Sequence, residues 1–172
     1  GLTKQAPFPA TGFGGLTQRP SLTKPVIAAV HGVAFGGGFE LALASDIVVA
    51  SEKARFALPE PRVGLAAIAG GLARLPGLIG HQRAMRLILT GDHLSGKQAA
   101  ELGICELVAP GQELNRALEL AALIAETCSP DSLRASKKVV LEVERAIFDV
   151  MEQQLAFPEV QAMLRGPNRP EG

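Results

Sequence analysis

From Val26 to Ala44 only His31 and Glu40 are strongly polar across nineteen positions, close to the length of a membrane span. Gly36-Gly37-Gly38 in the middle would weaken a spanning helix by about 1 kcal/mol per glycine. The stretch divides better. Pro25 precedes a β-rich run, Val26–Val30, which reads as a strand buried on both faces. His31-Gly32 and the triple glycine make a turn, Phe39–Ala44 starts a helix, and Ile47–Ala50 is a second buried strand. Ala57–Ala67, broken by Pro59, Pro61 and Gly64, reads as loop, and Ile68–Leu75 as helix interrupted by Pro76-Gly77. Gln82–Leu89 has helical spacing and stops at Gly91. Ser95 caps a short helix that ends at Gly103, and Cys105–Ala109 is a third strand. Two amphipathic helices follow, Glu113–Thr127 and Asp131–Leu155, joined at Ser129-Pro130. The pattern predicts an α/β core over residues 1–109, a helical region over 110–165 and a frayed Pro/Gly-rich tail over 166–172.

Composition narrows the function. The 172 residues make one domain's worth of chain, and 47% apolar residues suffice for a packed core. Seventeen basic residues balance seventeen acidic ones, so no net field draws the chain to nucleic acid or anionic lipid. With no Trp, no Tyr and seven Phe, there is no base-stacking platform. Cys105 and Cys128 are too far apart for a C-x-x-C site and read as buried free thiols. His31, His81 and His93 lack metal-ligand spacing, so no metal site is expected. Gly1–Pro20 has neither the cationic nor the apolar part of a secretory leader, and a cytoplasmic location is expected, or a mitochondrial matrix or peroxisome in a eukaryote. The absence of an initiator Met and the polar Arg165–Gly172 end suggest a fragment.

Gly91-Asp-His-Leu-Ser-Gly96-Lys97-Gln98 nearly spells a phosphate-binding loop, but Gln98 stands where a magnesium-binding hydroxyl is needed. It reads instead as a helix–turn–helix connection. The informative constellation is Ala34-Phe-Gly-Gly-Gly-Phe-Glu40 with Phe56-Ala-Leu-Pro-Glu60. Glycines between a strand and a helix leave the first helical N–H groups free to donate, the raw material of an oxyanion hole. Glu40 lies in the first helical turn inside an apolar run, where a carboxylate holds its proton more tightly. Glu60, between two prolines, is a second carboxylate on a stiff loop. The same features also fit tight packing and a first-turn acid that complements the helix dipole.

The stretch Lys24–Asp46, with Ala54-Arg-Phe-Ala-Leu-Pro-Glu60, Gly70-Gly-Leu-Ala-Arg-Leu75, Leu89-Thr-Gly91 and Ala99-Ala-Glu-Leu-Gly103, resembles the crotonase (enoyl-CoA hydratase/isomerase) family. The wording of Phe35–Ala44 and Phe56–Glu60 is particularly similar to the carnitinyl-CoA dehydratases within it. The resemblance implies a spiral of β-β-α units, partial here, with a C-terminal helical region that trimerises, commonly as a dimer of trimers. It implies an acyl-CoA thioester as substrate, with coenzyme A part of that substrate and no separate cofactor; the charge balance and the divided apolar stretch leave neither nucleic acid nor membrane as an expected partner. By matching position, Gly37, flanked by Gly36, donates an N–H to the thioester carbonyl. In hydration Glu40 is the base that activates water and Glu60 the acid at the α-carbon; in dehydration the roles reverse. Double-bond isomerisation and a non-catalytic CoA-binding subunit are the alternatives. Ala67 stands where the family usually has Pro, and Ile68 is expected to shape the pocket floor. The family's second oxyanion donor lies upstream of this sequence, so the chain by itself is expected to be inactive.

Overall fold

The computed structural model describes residues 8–166; most of the tail expected to fray, 167–172, lies outside them. The chain runs as β1 (Ile27–Val30), β2 (Val33–Phe35), α1 (Gly37–Leu43), β3 (Ile47–Ser51) and β4 (Arg55–Ala57). After a 3-10 turn at Glu60–Val63 come α2 (Gly71–Ile79), α3 (His81–Thr90), β5 (His93–Ser95), α4 (Gly96–Glu101) and β6 (Glu106–Val108). Strands β1, β3 and β6 form one parallel sheet; β2 and β4 run parallel in a second, with β5 antiparallel at its edge. Thus β1-β2-α1 and β3-β4-α2 are successive strand–strand–helix units, each adding one strand to each sheet. This is the β-β-α spiral that the resemblance implies. Phe39 and Phe56, with ring centroids 5.2 Å apart, lie in the core with Leu58, Leu75 and Val49.

Several elements differ from the sequence reading. The expected turn at His31–Gly38 contains β2, and α1 begins at Gly37, two residues before Phe39. The expected loop contains β4 and the 3-10 turn. Strand β1 is half-buried along its length rather than enclosed on both faces. The expected helix at Ile68 begins at Gly71 and passes through Pro76 to Ile79. The lost bond, from residue 76 to the Leu72 carbonyl, is offset by burial of Leu75 and Ile79 on the same face. The Gly91–Gln98 connection holds β5, so it is helix–strand–helix. Cys128 is exposed and Cys105 half-buried, its thiol pushed up to about 11 by burial.

The C-terminal region is α5 (Glu113–Thr127), α6 (Pro130–Val143), α7 (Arg145–Gln153), a 3-10 turn at Gln154–Ala156 and α8 (Pro158–Arg165). The single helix expected over Asp131–Leu155 is therefore broken at Glu144. Helix α5 packs on β1 and β3, while Leu114, Leu118 and Leu123 remain exposed, as do Val139, Val140 and Val143 on α6.

Helix α4 opens with a reciprocal cap: Ser95 Oγ accepts from the Gln98 N–H at 3.2 Å, and Gln98 Oε1 accepts from the Ser95 N–H at 2.9 Å. Ser95→Ala is expected to cost about 1 kcal/mol, read as a lower urea midpoint; an unchanged midpoint would show that the cap is solvent-compensated.

Candidate functional site

Because β2 and β4 run parallel, in register Phe35↔Ala57, the segments that follow them leave the sheet on the same side. One is the glycine turn and the other the Leu58-Pro59-Glu60 loop. Gly36 adopts φ 55°, ψ −126°, a conformation open to glycine. Its N–H donates to the Ala57 carbonyl at 2.9 Å, and its carbonyl accepts from Phe39 and Glu40. The Gly36 N–H is thus used within the fold and is not available to a ligand, a correction to grouping it with the donor. Among the described residues, the Gly37 and Gly38 N–H groups have no acceptor. A Cβ on Gly37 would stand 2.4 Å from the Phe13 ring, so Phe13 packs directly over this turn.

Glu40, in the first turn of α1, is only 3% exposed. Its Oε1 accepts from the Gly71 N–H at 2.9 Å. A carboxylate of one helix therefore receives the first amide of the next, at the positive end of α2. Glu40 is nevertheless pushed up to about 7, chiefly by burial and further by the charge of Glu60. The N–H groups of Gly71 and Ala69 and the charge of Arg74 oppose this. Gly70, at φ 122°, makes the turn into α2, and a Cβ on Gly71 would come within 3.2 Å of Glu40 Oε1.

Glu60 lies against the glycine turn: a Cβ on Gly36 would be 3.1 Å from its Oε1. Its Oε2 is buried without a hydrogen-bond partner among the described residues, and burial raises its proton affinity above that of an ordinary carboxyl. Burying an oxygen without a partner penalises the charged form. Arg62 anchors the Glu60 turn by donating to the Thr90 carbonyl at 2.9 Å and pairing with Asp92 at 2.8 Å.

The structure thus brings Glu40, Glu60, Gly36 and Gly37 together. Ile68 is buried, but it joins this group only through the backbone, two residues before the Gly70-Gly71 turn; its carbonyl accepts from Gln154 Nε2 at 2.7 Å. Sequence reasoning assigned no role to Phe13, Gly71 or Arg74. The usable signal for Gly71 was a Gly-Gly pair ahead of an apolar helix, a second source of free N–H groups. A cavity of about 750 Å³ between α1, β3, α6 and α7 includes neither carboxylate. Among the described residues, no cluster of three or more His, Cys, Asp or Glu side chains is placed to hold a metal, and no helix is long and apolar enough to cross a membrane.

Known proteins resemble this chain in sequence and in fold. A family model described as enoyl-CoA hydratase/isomerase matches residues 2–160. The carnitinyl-CoA dehydratase of Proteus mirabilis is 42% identical over 140 residues, covering 81% of this chain and 53% of the relative. The structure of EchA1_1 from Mycobacterium paratuberculosis superposes with a TM-score of 0.84 at 40% identity, over 95% of this chain and 64% of that one. A carnitinyl-CoA dehydratase from Mycobacterium avium gives a TM-score of 0.78 at 38% identity, over 94% and 67%. The chain spans about half the length of the curated relatives it matches.

Proposed function

The chain belongs to the enoyl-CoA hydratase/isomerase family, and on that premise we propose that it carries the two-carboxylate part of a hydro-lyase site. That site adds water to a 2-enoyl-CoA or removes it from a 3-hydroxyacyl-CoA such as carnitinyl-CoA. The observation that carries this reading is the pairing of two carboxyls of raised proton affinity, Glu40 and Glu60, around a glycine turn with an unpaired N–H.

In hydration, the thioester carbonyl accepts from the Gly37 N–H. Glu40, ionised, removes a proton from water as the water oxygen bonds to the β-carbon, and charge moves onto the thioester oxygen. Glu60, neutral, then delivers its proton to the α-carbon. The cycle leaves Glu40 protonated and Glu60 ionised, so the proton must pass between them or through solvent before the next turn. Dehydration runs the steps backwards: Glu60 takes the α-proton and Glu40 protonates the departing hydroxyl. Burial raises the proton affinity of both groups, that of Glu40 to about 7, which makes each a better base than an ordinary carboxylate. Coenzyme A arrives with the substrate, and these steps call for no metal or further cofactor. The same reading includes assembly as a trimer or dimer of trimers, supported by the exposed leucines of α5 and valines of α6, and a cytoplasmic location.

The test is hydration of crotonyl-CoA, followed as loss of the conjugated thioester absorbance, on this chain and on any longer product of its gene. Turnover that Glu40→Gln and Glu60→Gln each abolish is the expected result. Undiminished turnover in Glu40→Gln would falsify the assignment, and lost hydration with retained double-bond isomerisation would move it to the one-carboxylate reaction.

A further inference from the structure

The Arg74 guanidinium lies between the site and the C-terminal helices. Arg74 is the fourth residue of α2, and its N–H donates to the Gly70 carbonyl at 3.0 Å. Its side chain folds back over that turn: a Cβ on Gly70 would stand 2.1 Å from Nη1 and 3.2 Å from Met151 Cε. Nη2 donates to the Thr17 carbonyl at 2.8 Å, Nη1 donates to Met151 Sδ at 3.4 Å, and the guanidinium carbon lies 5.6 Å from the Phe148 ring centroid. Thr17, Phe148 and Met151 are all buried. Thr17 Oγ1 in turn accepts from the N–H of Phe13 at 2.9 Å, the residue packed over Gly37. Helix α7 grips the same turn a second time: Gln154 Nε2, just beyond its end, donates to the Ile68 carbonyl at 2.7 Å and the Met151 carbonyl at 3.1 Å.

Every hydrogen-bond acceptor that Arg74 meets here is neutral, a carbonyl oxygen and a thioether sulfur. Among the described residues it makes no ion pair. A half-buried cation with neutral partners keeps its field, whereas a contact pair with a carboxylate would hold that carboxylate ionised and poorly basic. The charges acting on Glu40 are Glu60, from the turn after β4, and Arg74, from α2. Arg74 in turn faces Glu144, between α6 and α7, as well as Glu40.

Resting on the two-carboxylate reading above, we infer that Arg74 is a positioning residue. Held by α7 and by Thr17, it clamps the Gly70-Gly71 turn against Glu40 and supplies a positive field to that carboxylate without pairing with it. Helix α7 thereby bears, through Arg74, on the turn whose Gly71 N–H donates to Glu40.

Arg74→Met keeps most of the bulk and removes the charge; Arg74→Lys keeps the charge but not the fork, since an ammonium cannot span both Thr17 and Met151. Two readouts are needed: titration of Glu40 by carbon-13 glutamate NMR, independent of activity, and kcat and KM for crotonyl-CoA against pH. Loss of the cation disfavours the carboxylate, so in Arg74→Met the Glu40 midpoint is expected to rise by about one unit from its value near 7. The acid limb of kcat moves with it, kcat at pH 7 falls about five-fold as the ionised fraction of Glu40 drops, and KM stays within about two-fold. Arg74→Lys is expected to return the midpoint while kcat stays low. An unmoved midpoint in folded Arg74→Met, or the same upward shift in both variants, overturns the inference. If Arg74→Met does not fold, Arg74→Lys decides, because unchanged kcat there overturns it. A shifted midpoint where the unmodified longer product of the gene hydrates no 2-enoyl-CoA leaves the role of Arg74 standing and refutes the hydro-lyase reading instead.

Discussion

Glu40→Gln is expected to lower hydration of a 2-enoyl-CoA by about 10²–10⁴-fold and, in the same molecule, to flatten the dependence of stability on pH. Both effects come from one burial. Glu40 titrates near 7 in the folded chain against 4.5 as a free carboxyl, with desolvation the leading cause. The folded state therefore binds this proton more tightly than the unfolded state. Its stabilising contribution is complete below pH 4.5, is lost as the pH rises through about 7, and is constant above that. The gap corresponds to about 3 kcal/mol, an order-of-magnitude figure for a group this enclosed. Urea midpoints at pH 4.5 and pH 8 should differ markedly in the parent and much less in Glu40→Gln, where Glu60 leaves a residual slope of the same sign. Equal slopes in the two proteins would mean that Glu40 is solvated, and the reason for its raised proton affinity would be gone.

Gly96→Ala is expected to destabilise the chain by about 2–3 kcal/mol, although alanine is the better helix former by about 1 kcal/mol. A Cβ at Gly96 would lie 2.3 Å from the Ser51 carbonyl oxygen and 3.3 Å from Leu107 Cδ1. The first obstacle is backbone at the end of β3, in the buried sheet, and cannot turn aside as a side chain would. Gly96 also donates its N–H to the Ala54 carbonyl at 2.7 Å, which fixes α4 at this distance. For a chain of this length the loss should read as a fall in melting temperature of about 5–10 °C. A melting temperature equal to that of the parent would refute the steric account. The glycine that makes this stretch look like a phosphate loop is thus a contact point between a helix and a strand.

What the sequence shows and what it hides follow the range of the interactions. The glycine turn, Glu40 and Glu60 are legible because their character is local: free amides at a helix start, an acid in an apolar run, an acid between prolines. Strands β2 and β4 are not, since three residues carry no period, and what makes them strands is their pairing with each other across twenty-two positions. The break at Glu144 is hidden by the apolar spacing, which continues through it from Val140 to Ile147. Pro76 misleads in the other direction, since its steric rule is outweighed by the face that Leu75 and Ile79 bury. Arg74 leaves no trace because its partners are a main-chain oxygen, a sulfur and a ring fifty-seven or more residues away. Ile68 is expected to act through its side chain, whereas the hydrogen bond that ties it to the C-terminal helices is made by its carbonyl.

The Gly71 amide and the Glu40 carboxylate share one hydrogen bond, and that makes the start of α2 a timekeeper. Whenever Glu40 takes up a proton, the acceptor at the head of α2 weakens from a charged oxygen to a neutral one. When the proton leaves, the helix is drawn tight again. From Gly71 the contacts continue along α2 to Arg74 and on to Met151 of α7, so the head of α2 links the Glu40 carboxyl to the C-terminal helices.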